Sequence, residues 1–72
     1  MPFVTIRLVP NAFVPDTAAK KARIAAKITD AILAESALGE GDVQIVFEEV
    51  AASDWFVGKT TVAAIRKRNG LD

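Results

Sequence analysis

The residue of this sequence with the most unusual chemical potential is Pro2. Without Met1, Pro2 would carry a free secondary amine, which can take up a proton and return it. An ordinary α-amino group titrates at about pH 8, and desolvation lowers the pKa of a cationic acid further. The proline ring also fixes the direction of the nitrogen. A simpler interpretation is that Pro2 only begins a strand or permits removal of Met1, and the residue alone does not decide between the two.

Composition excludes several other kinds of chemistry. The 72-residue chain has no cysteine and no histidine, which removes disulfides and the two best zinc ligands. Nine basic and nine acidic residues cancel, so we expect no nucleic-acid partner and no membrane partner. We see no signal peptide and no uncharged stretch of membrane-spanning length. The default expectation is a cytoplasmic protein.

Two local patterns resemble motifs for nucleotides or nucleic acids. Residues 53–60 (SDWFVGKT) resemble a phosphate-binding P-loop, but serine replaces its first glycine. Trp55 and Phe56 are also too bulky for a loop that must curl around phosphates. The run Arg66-Lys67-Arg68 is more typical of a solubilising helix end than of a nucleic-acid patch on a neutral chain. Neither pattern therefore predicts a partner.

The elements that must position Pro2 begin with two strands. Residues 2–9 and 42–50 alternate between apolar and other side chains, as strands do. Their apolar faces consist of Val4, Ile6, Leu8, Val43, Ile45 and Phe47.

A helix is predicted between these strands, over residues 17–36. Pro10 and Pro15 bracket the loop before it, and Asp16 is a plausible N-cap. Glycines 39 and 41 are expected to end the helix. The predicted apolar stripe consists of Ala18, Ala22, Ala25, Ile32 and Leu33, with Ile28 at its edge and Thr29 within it. The predicted solvated face consists of Lys20, Arg23, Lys27 and Asp30.

The order strand, helix, strand predicts a βαβ unit with parallel strands and a right-handed crossover. A short strand around Trp55–Val57 and a last helical turn or two over residues 61–68, ending near Asn69-Gly70, should follow. A two-stranded sheet is too small to be stable alone, yet 51% of the residues are hydrophobic. We therefore expect one domain over residues 1–72 that self-associates, with sheets from neighbouring chains joined.

The start Met1-Pro2-Phe3-Val4, the βαβ order and the later run VQIVFEEV…WFVGK together resemble the 4-oxalocrotonate tautomerase family of the tautomerase superfamily. The resemblance extends from Pro2 to Arg66. It implies an α/β fold made of one β-α-β unit with a short C-terminal β-hairpin. It also implies a four-stranded sheet formed across a dimer, and commonly a hexamer.

The same resemblance implies that Met1 is removed and that Pro2 is the general base and acid of a keto–enol isomerase. Such an enzyme acts on a small 2-oxo acid or its enol without cofactor or metal. If Met1 stays attached, the Pro2 nitrogen is a tertiary amide and this chemistry is lost. Some relatives hydrate or dehalogenate small unsaturated acids, so the resemblance leaves open which of these reactions the protein would catalyse.

Two further residues match positions that the family uses. Trp55 lies where the family has an aromatic residue beside the catalytic proline, which would supply a wall of low dielectric constant. The alternative for Trp55 is an ordinary core or interface aromatic. Arg66 matches an arginine position of the family and could bind the substrate carboxylate, or it could be a solvated tail residue.

The chain departs from the family where two other arginines are usual. The loop after the first strand reads Pro10-Asn11-Ala12-Phe13, and the second-strand position is Gln44, which can donate a hydrogen bond but carries no charge. Arg7 could be another cation, although pairing with Glu48 on the same sheet face is simpler.

The loss of these charges favours a substrate with one carboxylate, or a bulkier apolar 2-oxo acid that would suit Phe13 and Val14 of the loop. It also leaves an alternative function, that of a non-catalytic or heteromeric assembly subunit of the same fold.

Overall fold

The computed structural model of the chain describes residues 2–70, and it contains one βαβ unit followed by a small C-terminal subdomain. The βαβ unit consists of β1 (Phe3–Leu8), α1 (Thr17–Ala34) and β2 (Gln44–Glu49). The C-terminal part consists of β3 (Phe56–Val57), β4 (Thr60–Thr61) and α2 (Val62–Arg68). Single turns of 3-10 helix at Glu40–Asp42 and Ala52–Asp54 precede β2 and β3.

The two long strands are parallel, as predicted. Their register runs from Phe3 opposite Gln44 to Leu8 opposite Glu49. Side chains alternate along β1, so that Val4 and Ile6 are half-buried and Leu8 is buried at 7% exposure. The predicted inner face of the sheet is therefore confirmed, while the right-handedness of the crossover stays a prediction.

The apolar stripe of α1 differs from the predicted one. Ala18 and Ala22 are exposed, and Lys20, predicted on the solvated face, is half-buried. The half-buried apolar positions and the threonine between them are Ile24, Ala25, Ile28, Thr29, Ile32 and Leu33. Because an isoleucine buries more apolar area than an alanine, the helix is rotated so that Ile24 and Ile28 lie toward the sheet.

Both ends of α1 also differ in detail from the prediction. Asp16 occupies the N-cap position, but its backbone is left-handed (φ 59°) and its side chain caps none of the N–H groups of the first turn. Its carbonyl instead accepts the Lys20 N–H at 3.0 Å. The helix ends at Ala34 with Glu35 as C-cap, so neither predicted glycine ends it.

The C-terminal part contains the predicted hairpin and last helix. Strands β3 and β4 are antiparallel, with Phe56 opposite Thr61 and Val57 opposite Thr60. The turn between them includes Gly58 at φ 64°, a conformation that glycine adopts without steric cost. The Thr61 hydroxyl accepts the Ala64 N–H at 3.1 Å and so caps α2. Residues 53–60 thus form a turn and a hairpin rather than a phosphate-binding loop.

Little of this chain is shielded from solvent when it is alone. Among residues 2–70, Leu8 is the single buried hydrophobic residue. Several large apolar side chains are 38–61% exposed, namely Phe3, Val14, Leu38, Val46, Phe56 and Val57. No helix within the described residues is long and apolar enough to cross a membrane.

Candidate active site

Pro2 lies directly before β1, at the edge of the sheet where both parallel strands begin. It is half-buried, and its carbonyl oxygen accepts the backbone N–H of Gln44 at 3.1 Å. Gln44 is the first residue of β2 and is exposed. The structure therefore brings together two predicted site residues, Pro2 and Gln44. Met1, whose removal was predicted, lies outside the described residues.

An apolar cleft of about 290 Å³ lies at the opposite end of β1. It is lined by Leu8, Val9, Ala12, Trp55 and Val62. Trp55 is half-buried, and its carbonyl accepts the Val62 N–H at 2.7 Å. The hairpin between these two residues therefore returns the chain to its starting point, so that both side chains reach the same cleft.

Arg66 lies near this cleft, on α2. It follows Val62 by four residues, so the two side chains share one side of the helix. Arg66 is half-buried and makes no ion pair with an acidic side chain of residues 2–70. Arg66 thus lies one helical turn from Val62 of the cleft wall, although it is not itself among the residues that line the cleft.

Arg7 is engaged elsewhere. Its Nε donates to Glu48 Oε1 at 3.1 Å, between positions that are opposite each other in the sheet register. The side chains are 66% and 51% exposed, and both lie on the outer face of the sheet, away from the cleft. The simpler interpretation of Arg7, a cross-strand pair, is confirmed, and its role in substrate binding stays a prediction.

Phe13 and Val14, which the sequence suggested as substrate contacts, do not line the cleft. The Phe13 ring packs edge-on against Phe47, with ring centroids 6.5 Å apart and planes at 86°. Val14 is 55% exposed. Phe13 instead packs its ring on the inner face of β2, and Ala12 takes the place at the cleft, so a contact of Phe13 or Val14 with substrate stays a prediction. The alternation of residues 42–50 places Phe47 on the inner face of the sheet, and this pattern could have indicated that Phe13 packs against it.

Four of the cleft residues were not predicted as site residues, namely Leu8, Val9, Ala12 and Val62. Each is an apolar residue with no chemical signature, and they are brought together only by tertiary structure. Leu8 could be recognised as the last inner-face residue of a strand, and Val62 as the first residue after a hairpin, but neither position predicts a cleft.

Pro2 and Trp55 are far apart within one chain. Pro2 and Leu8 are separated by six residues of extended backbone, which corresponds to roughly 20 Å. One chain by itself therefore does not place Trp55 beside the predicted catalytic proline. Pro2 lies at one end of β1 and the apolar cleft at the other.

The order of elements is that of a known class of small α/β proteins. The chain superposes on the crystal structure of DmpI from Helicobacter pylori with a TM-score of 0.76 and 21% identity, over 92% of this chain and 97% of that one. It is similar as well to a 4-oxalocrotonate tautomerase isozyme from Methylibium petroleiphilum, with a TM-score of 0.72 and 20% identity, over 89% of this chain and 97% of that one. At these identities the likeness shows the fold.

The family is shown by the sequence itself. The model of the tautomerase enzyme family matches residues 2–65. This chain belongs to the tautomerase family. A comparison with curated protein sequences gave no match.

Proposed function

We propose that the protein is a cofactor-free tautomerase that interconverts the enol and keto forms of a small 2-oxo acid. The observation that carries the proposal is the apolar cleft of a tautomerase-family chain with Trp55 in its wall and Arg66 one helical turn beyond Val62 of that wall. Pro2 is the base and acid of the reaction, in the form of the chain that has lost Met1.

The chemistry requires one proton carrier and one anion partner. The neutral Pro2 amine removes the hydroxyl proton of the enol, and the resulting ammonium delivers a proton to C3, so the amine is regenerated. Arg66 binds the carboxylate through charge-assisted hydrogen bonds, and Gln44 can donate to the developing enolate oxygen. Trp55 and the aliphatic walls exclude water, which favours the neutral amine before reaction.

A complete site requires a second copy of the chain. Within residues 2–70, β1 pairs with β2 alone, so its other edge is open for pairing. If two β1 edges pair antiparallel about an axis near Thr5 and Ile6, Pro2 of one copy comes opposite Val9 of the other. The result is the four-stranded sheet of a dimer, and the exposed Phe3 and Val46 on its outer face support further association toward a hexamer.

The test is the conversion of phenylenolpyruvate to phenylpyruvate, followed by absorbance, with protein whose intact mass lacks one methionine. Pro2→Ala should lower kcat/KM by about 100-fold, because the primary amine that alanine leaves at the N-terminus lacks the ring that directs the Pro2 nitrogen, and a base misplaced by about 1 Å can cost that much. Alanine at this position also permits removal of Met1, so the variant tests the ring nitrogen rather than processing. A variant with the wild-type rate would rule out the proposed mechanism.

A second candidate function is a heteromeric assembly subunit of the same fold. The cleft lining favours it, because none of the five residues that form the cleft walls carries a charge. In that case the purified homo-oligomer would be inactive toward 2-oxo acids, and a second small chain that co-purifies with it would restore activity.

A further inference from the structure

The cleft is apolar on every side that the described residues form. Its lining combines the end of β1, the loop that follows it, the residue before β3 and the start of α2, and each contributes an aliphatic or aromatic side chain. The loop contributes Ala12, a short side chain that leaves room and offers no hydrogen-bond donor. A group that enters this cleft therefore exchanges water for hydrocarbon.

None of the residues that line the cleft is charged, and one cation that reaches the end of β2 is already engaged. Lys21 Nζ lies 3.9 Å from Glu49 Oε2 and 5.7 Å from the centroid of the Phe47 ring. Glu49 is opposite Leu8 in the sheet register, so the charge closest to the strand end is negative. Arg66, like most of the basic residues within 2–70, has no acidic partner there, and it is half-buried on the helix that begins at the cleft wall.

The wall formed by the loop is held in place. The edge-on contact of Phe13 with Phe47 joins the loop to β2 directly after Ala12. Lys20 Nζ also donates to the Val14 carbonyl at 3.4 Å, which joins the loop to α1. The loop that follows β1 therefore cannot move to admit a basic side chain to the cleft unless these two contacts are broken.

We propose that the cleft holds the uncharged substituent of a monocarboxylate 2-oxo acid, an aryl or branched alkyl group, and excludes substrates with a second carboxylate. This inference rests on the proposed function. Arg66 binds the carboxylate next to the reacting carbonyl, and the substituent packs on Trp55 inside the cleft. The cleft volume of about 290 Å³ is near the lower limit for small-molecule pockets, which suits a substituent of this size.

A second carboxylate placed against these walls would lose part of its hydration and would find no charged side chain among the cleft-lining residues to bind it. Leaving a charged group without its hydrogen bonds is costly, so the enzyme should discriminate strongly against substrates with a second carboxylate. The experiment compares the enols of phenylpyruvate and of 4-carboxyphenylpyruvate, which differ by one carboxylate at the ring position farthest from the reacting atoms. We expect kcat/KM for the carboxylated compound to be roughly 10- to 100-fold lower.

A matched pair of variants locates the effect. Ala12→Arg places a cation in the cleft wall and should reduce the difference between the two substrates by at least about tenfold. Ala26→Arg adds the same charge on the exposed side of α1 and should leave the ratio at its wild-type value. Circular dichroism and gel filtration check that both variants fold and associate as the parent does. If Ala12→Arg does not fold, the ratio of kcat/KM for the two substrates measured with the parent protein still tests whether a second carboxylate is excluded.

The outcomes separate this inference from the proposed function. Equal kcat/KM for the two substrates, both lost with Pro2→Ala, would overturn the inference and leave the tautomerase intact. An equal change of the ratio in Ala12→Arg and Ala26→Arg would also overturn it, because a general charge effect would then explain the result. Conversion of neither substrate by protein without Met1 would refute the proposed function instead.

Discussion

Arg66 is the residue whose surroundings say most about how a substrate would be held. It is half-buried, it has no acidic partner among residues 2–70, and it lies one helical turn beyond a wall of the cleft. A cation in such a position keeps its hydrogen-bonding capacity for a ligand. Arg7 shows the contrast, because its guanidinium is already paired with Glu48 on an exposed face, where such a pair contributes little.

Replacement of Arg66 should therefore weaken substrate binding. We expect Arg66→Ala to raise KM for phenylenolpyruvate by roughly 10- to 100-fold, because a hydrogen bond to a charged group is lost. Arg66→Lys should recover only part of the loss, since lysine cannot bind a carboxylate bidentately. Arg68→Ala, which removes an exposed arginine from the same helix, is the control and should leave KM unchanged. Equal effects at positions 66 and 68 would contradict a specific role for Arg66.

At the scale of elements, the strands could be predicted from the sequence, but the side of α1 that is turned away from solvent could not. Strict alternation over residues 2–9 identified the inner face of β1, because a period of two leaves little ambiguity. In α1, alanines occur all around the helix, so the pattern alone gave more than one acceptable stripe. The larger side chains Ile24 and Ile28 determine which stripe faces the sheet.

The cleft could not be predicted at all by such patterns, because its walls come from four separate segments of the chain. Trp55 and Arg66 were identified through the family resemblance, which implied an aromatic residue beside the catalytic proline without saying which copy of the chain supplies it. Within one chain, Pro2 and Trp55 lie at opposite ends of β1, and only the tertiary structure reveals this separation.

The cap of α2 connects stability with the site. Thr61→Ala removes the acceptor for the Ala64 N–H and should lower the free energy of unfolding by about 1 kcal/mol. Because α2 begins at Val62, a frayed first turn should also raise KM for the substrate. The measurements are urea unfolding at a fixed chain concentration and steady-state kinetics. Thr60→Ala is the control, since Thr60 lies in the hairpin without capping α2, and an equal loss in both variants would argue against the cap.

At the scale of the whole molecule, the exposed apolar surface and the divided site lead to the same conclusion. A chain whose described part buries one hydrophobic residue fully has little core of its own, so association would supply much of its stability. The same association would bring Pro2 of one copy to the cleft of another. Folding, assembly and catalysis would then depend on one interface.

Mixed oligomers test this sharing of sites. At a substrate concentration well below KM, Pro2→Ala and Arg66→Ala chains, each of low activity alone, should regain activity when they are unfolded together and refolded. With random pairing in a two-fold dimer, half of the dimers are mixed and each mixed dimer has one intact site, so about a quarter of the wild-type activity should return. Refolding of each variant separately is the control. A mixture no more active than its components would show that each chain contains its whole site.

The six-residue length of β1 has a consequence for how this protein can vary. The length of β1 sets the distance, within one chain, between the Pro2 nitrogen and the cleft at the other end of the strand. Removing or adding two residues would preserve the inner and outer faces but change that distance by roughly 6.6 Å. In an antiparallel pair of β1 strands, such a change would keep Pro2 of one copy opposite the cleft of the other only if the register between the two strands shifted to match.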